Sequence, residues 1–216
     1  MRMKRIAVIA ALALAAGVAL GAEDLKAEFD WAFARRGPEG EIVPLDFSER
    51  VGVAGEDLFK IFVRPVGGAF VYVLLLDSSG ALDLLFPASF GDFAAAAYAG
   101  GHFVPPGDDW FALDGTRGVE TFYLVASASR LDDLERLYLA YRAQADNPRS
   151  TQAPRARQAV LDELARLRKA HSSLASAAEK PVTIAGGSRS VEAEIQRRAT
   201  RITAPGFYSR TFRLEH

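Results

Sequence analysis

The chain has 216 residues, half of them hydrophobic and a quarter charged, which is a globular composition and not a disordered one. Its formal charge of −1 offers no basic excess for a nucleic-acid-binding face. It has no cysteine, which removes disulfides, thiol nucleophiles and cysteine-held zinc or iron–sulfur centres.

The chain begins with Arg2, Lys4 and Arg5, followed by an uncharged run over 6–20. Ala19, Leu20 and Gly21 form a small-x-small cleavage pattern, and Ala22 is an alternative end. This order predicts a secretory signal peptide over residues 1–22 and a periplasmic or secreted protein. The run is short for a membrane span, which needs roughly 20 apolar residues, so no transmembrane span is expected after cleavage. No cysteine follows to carry a lipoprotein lipid. Loss of three basic residues moves the net charge from −1 to −4.

Residues 25–34 alternate: Leu25, Ala27, Phe29, Trp31 and Phe33 on one face, Lys26, Glu28 and Asp30 on the other. Period two predicts a half-buried strand. Gly37, Pro38 and Gly40 mark a turn, and 41–45 predicts a short strand that Pro44 limits to an edge or an end. The next strand, 57–64, has Phe59, Ile61 and Val63 on one face and Lys60, Phe62 and Arg64 on the other. Residues 69–77 are apolar on both faces, as in a central strand covered on both sides. Asp77 to Gly80 predict a tight polar turn into a strand at 81–86. The alanine-rich segment 91–101 is ambiguous between a short helical turn and a loop, with Tyr98 on a surface turn. A proline-marked turn leads from the His102 loop to a strand near 110–114, and 119–127 is a further strand.

The period then lengthens. Ser129 and Asp132 predict a helix start resembling a capping box, followed by Leu131, Leu134, Leu137, Tyr138 and Tyr141 at helical spacing. A second helix is expected at about 154–177, with a stripe of Val160, Leu161, Leu164, Leu167, His171 and Leu174. Residues 179–190 read as a loop around a short strand. The chain closes on a hairpin turning at Ala204, Pro205 and Gly206, with Tyr208, Phe212 and Leu214 on one face. The expected fold class is α+β: a mainly antiparallel β-sandwich-like domain over 23–216, two helices after its main strands at about 130–178, and a C-terminal β-hairpin. The helices are either an insertion or a flanking layer.

From Gly55 to Ser127 the ordered features resemble a bacterial family named only as domain of unknown function 4384. They comprise a strand ending Val63-Arg64, the Tyr72-Val73 strand, the polar turn, and Leu85-Phe86-Pro87. The proline-marked turn and Gly118-x-Glu120 leading into the last strand follow. The resemblance covers about residues 55–130. It implies a compact β-rich accessory domain of the kind found beside signalling, peptidase-like or envelope modules. It transfers no catalytic residue.

Chemistry is sparse. The three histidines, His102, His171 and His216, have no metal-ligand spacing, and no metal or cofactor is expected. The nearest approach to a serine nucleophile elbow, 186–190, has the wrong spacing and no clear following helix; it reads as a flexible loop. Asp108 and Asp109 beside Trp110 suggest paired carboxylates next to a sugar-stacking ring. His102, Asp108, Asp109 and Trp110 are therefore the candidate binding residues, with no catalytic assignment. The expected function is an exported, non-enzymatic binding or assembly module of the bacterial cell envelope. Its partner would be an envelope protein or a polysaccharide, and no nucleic acid. The alternatives are an enzyme acting on glycans or peptides through acidic loop residues, and a carrier of a small apolar ligand in the sheet interior.

Overall fold

A computed structural model describes residues 25–45, 47, 51–53, 57–113, 117–147, 149–173, 176–182 and 190–215. The expected signal peptide, 1–22, lies outside them.

The strands are β1 (Lys26–Arg36), β2 (Ile42–Pro44), β3 (Val51–Gly52), β4 (Leu58–Val66), β5 (Phe70–Leu76), β6 (Leu82–Phe86), β7 (His102–Val104), β8 (Phe111–Ala112), β9 (Val119–Ser127), β10 (Ala178–Pro181), β11 (Thr200–Pro205) and β12 (Phe207–Glu215). The helices are α1 (Asp132–Ala145), α2 (Ala153–Ala170) and α3 (Val191–Arg197). Two 3-10 turns, Phe90–Ala94 and Ala96–Ala99, occupy the ambiguous alanine-rich segment. The architecture is α+β. The first sheet runs β10-β11-β1-β4-β7, with β2 on β1 and β8 on β4; the second runs β3-β12-β9-β5-β6. All pairs are antiparallel except β3 with β12.

Alternation along the strands builds the core. Phe29, Trp31 and Phe33 of β1 and Phe59, Ile61 and Val63 of β4 meet Phe122 and Leu124 of β9 and Phe212 and Leu214 of β12. Phe33 packs edge-on against Phe122 with ring centroids 5.0 Å apart, and Trp31 stacks on Phe212 at 4.8 Å. Each such ring contributes about 1.5–3 kcal/mol by leaving water. The double-faced run of β5 has the expected consequence. Val71 and Val73 enter this core, while Tyr72 and Leu74 enter a second one beneath α1 and α2. The helices thus form a flanking layer on the outer face of the second sheet. A third cluster, Phe62, Ala32 and Ala34 under Ile195 of α3, covers part of the first sheet's outer face.

The polar turn between β5 and β6 forms as expected. The Asp77 carboxylate accepts hydrogen bonds from Ala81 N and Ser79 Oγ, both at 2.7 Å, and Gly80 takes a left-handed φ of 86°. Gly206 (φ 77°) reverses the chain at the terminal hairpin, and its two arms enter different sheets. Among the described residues, no helix is long and apolar enough to cross a membrane.

Several local expectations are corrected. Leu25 lies before β1 and is 65 % exposed, whereas Asp30, expected on a solvated face, is fully buried. The first residue before α1 is Leu131, and no side chain caps that end; Ser129 N instead donates to Ser127 Oγ. α2 ends at Ala170, and His171 stacks on Phe207 at 4.3 Å; Leu174 lies outside the described residues. A helix does follow the 186–190 segment: the Ser190 hydroxyl accepts from Ala193 N and starts α3. His102 opens strand β7 and is not in a loop.

Candidate functional site

β6 and β7 are the end strands of their sheets, and the two 3-10 turns bridge them. A cleft of about 330 Å³ lies in this corner. Leu85, Phe86 and Pro87 form one wall, Ala95, Ala97 and Tyr98 the second, and His102, Val104 and Pro106 the third. Its volume sits at the lower end of the range for small-molecule sites, roughly 300–1,000 Å³.

Tyr98 makes the corner rigid. Past the end of β6, β5 continues without a neighbour on that side. The Tyr98 hydroxyl takes the neighbour's place: it accepts from Val71 N at 2.7 Å and donates to Ala69 O at 3.1 Å. Burial raises its pKa well above the ordinary tyrosine value. The segment is therefore anchored and not a plain surface turn. In the sequence only a tyrosine after four alanines marks this.

His102 brings a polar ring to the cleft wall. Its Nε2 lies 3.0 Å from the Tyr98 carbonyl oxygen and donates to it. Its ring stands 5.1 Å from that of Phe86. Asp92, at the rim, is engaged by Ser89: its carboxylate accepts from Ser89 N and Oγ.

The other three candidates stand outside this cleft. Asp108 and Asp109 are exposed, and Asp109 contributes its main-chain carbonyl, which accepts from Lys60 Nζ at 2.8 Å. Lys60 also donates to Gly107 O. Its ammonium is only 1 % exposed and lies 5.5 Å from the Trp110 ring and 5.7 Å from that of Phe103. Trp110 is half-buried against Phe62 and Ile195. The loop that suggested a sugar platform is thus the cover of a buried lysine. By alternation Lys60 reads as an outward-facing strand residue, and nothing in its neighbours signals otherwise. Among the described residues, no three metal-ligating side chains gather.

Searches against protein-family models, curated proteins and solved structures find no match to this chain.

Proposed function

We propose that the protein is a non-enzymatic binding module of the bacterial cell envelope, and that the β6–β7 cleft takes a small apolar ligand. The observation that carries this reading is the cleft itself: an anchored, mainly apolar pocket with the His102 ring in its wall. Apolar walls with few placed polar groups suit an apolar molecule. On this reading the ligand sits at a corner between the sheets; the interior expected for a carrier is filled by aromatic rings. The resemblance over residues 55–130 to the domain of unknown function 4384 family supports an accessory role, and the basic and apolar opening of the chain supports export.

The test is titration with N-phenyl-1-naphthylamine, an uncharged apolar fluorophore. Saturable enhancement is expected, and Ala97→Trp, which fills the cleft from its exposed wall, should abolish it with little change in melting temperature. Unchanged binding in Ala97→Trp would overturn the assignment of the cleft.

A further inference from the structure

A second, smaller cleft of about 160 Å³ opens on the far side of the second sheet, where α2 passes over β12 and β9. It exists because β12 carries small polar residues there. Phe207 fills the space under His171, but Ser209 and Thr211, the next outward residues, leave a gap beneath α2. Leu164 and Ala165 form the helix side; Tyr123, paired with Thr211 across the strands, stands beside it.

Two guanidiniums border this gap, Arg168 from the last turn of α2 and Arg213 from β12. Among the described residues, neither is in an ion pair, and no carboxylate lines the cleft. Arg168 offsets the partial negative charge of a helix C-terminus, which accounts for one of the two cations. Arg213 has no such helix end. Two like charges and three hydroxyls around one gap, with no carboxylate in its lining, make a setting that attracts an anion.

We infer that this cleft binds a phosphate-type oxyanion, held by Arg168 and Arg213 and by the hydroxyls of Ser209, Thr211 and Tyr123. The volume is too small for most organic ligands and sufficient for one such group. Two guanidiniums match a phosphomonoester or inorganic phosphate, which carries about −1.5 to −2 at neutral pH and accepts paired arginine N–H bonds. Burial raises Tyr123 against the opposing pull of Arg213 and Arg168, so its hydroxyl stays protonated and able to donate.

The experiment titrates the chain with inorganic phosphate at constant ionic strength, following amide NMR signals, and in parallel with phosphatidylcholine vesicles with and without phosphatidic acid. Saturable shifts centred on 209–213, weakened about tenfold or more in Arg168→Gln/Arg213→Gln, are the expected result. Arg168→Lys/Arg213→Lys, which keeps the charge without the planar fork, should bind more weakly than the native chain and more tightly than the glutamine pair. A response to phosphate in solution identifies a soluble ligand. A response confined to phosphatidic acid vesicles, and lost in the glutamine pair, identifies a lipid headgroup. Absence of saturable binding in both arms, or binding that the glutamine pair retains, would overturn the inference. Both arginines are exposed, so the variants should fold; an unchanged near-ultraviolet circular dichroism spectrum checks this.

Discussion

The two outer faces of the sandwich solve one problem with different chemistry. Each sheet has polar groups on its outer side that must be satisfied. On the second sheet, tyrosine hydroxyls between sheet and helices do this. Tyr141 and Tyr138 of α1 accept from Leu82 N and Leu84 N of the end strand β6, at 2.9 and 2.8 Å. Tyr72 donates to Glu135 and accepts from Leu131 N. A strand edge that could recruit another chain is thereby closed by side chains. On the first sheet the partners are ionic and come from its own strands. Asp30 accepts from Arg201 Nε at 2.7 Å and from Arg64 Nε at 2.8 Å, and Arg201 also pairs with Glu28 at 3.3 Å. Neutral hydroxyls can be replaced with small loss, but buried charges cannot be removed singly.

The largest expected effect follows from that asymmetry. Asp30→Ala should destabilise by about 3 kcal/mol, near the low end for a broken buried pair because both guanidiniums reach water. Denaturant midpoints measure it. Burial opposes ionisation of Asp30, yet hydrogen bonds from Arg201 and Arg64 outweigh it and hold the carboxyl below its usual value. Its stabilisation is complete above about pH 4 and is lost as pH falls through the lower folded value. Asp30→Asn should therefore flatten the acid limb of the stability curve.

Tyr98→Phe comes next, at about 2 kcal/mol, because Val71 N and Ala69 O lose their partner inside a buried corner. Thermal melts should show it, and the same variant should loosen the β6–β7 cleft. Tyr138→Phe and Tyr141→Phe should each cost about 1 kcal/mol by freeing one strand N–H. A measurable rise in self-association would confirm that these hydroxyls close an edge. Lys60→Met should cost about 1 kcal/mol: Gly107 O and Asp109 O lose their donor, and relief of the ammonium's desolvation offsets part of that loss. A loss above about 3 kcal/mol would show that the ionic face depends on Lys60 as it does on Asp30. Smallest is Arg136→Ala, which removes an exposed pair with Asp133 and should stay within about 0.5 kcal/mol.

The sequence made one face of this comparison visible and hid the other. Alternation placed Phe29, Phe122 and Leu124 in the core, and the continuous apolar run at 70–76 announced a strand covered twice. These are period effects that survive any neighbour. Asp30 and Lys60 carry the polar signature of solvated strand positions, and only partners remote in the chain, Arg201 and Asp109, bury them. α3 escaped because it is short and follows a glycine-rich stretch, although Ser190 before Glu192 and Glu194 was a usable start signal. Of the candidate site, His102 reached a cleft wall; the carboxylates and Trp110 drew attention through composition alone, while Arg168 and Arg213 were ordinary surface cations until the fold brought them together.

The reversal at Gly206 also sets the timing of assembly. β11 supplies a neighbour of β1, and β12 lies between β3 and β9 in the interior of its sheet. Residues 200–215 therefore complete both sheets at once. While a ribosome still holds that segment, Trp31 lacks Phe212 and Phe29 lacks Tyr208. Pairings so remote in the chain form slowly. Neither sheet is whole until β11 and β12 have found their places, so the shared core between them closes last.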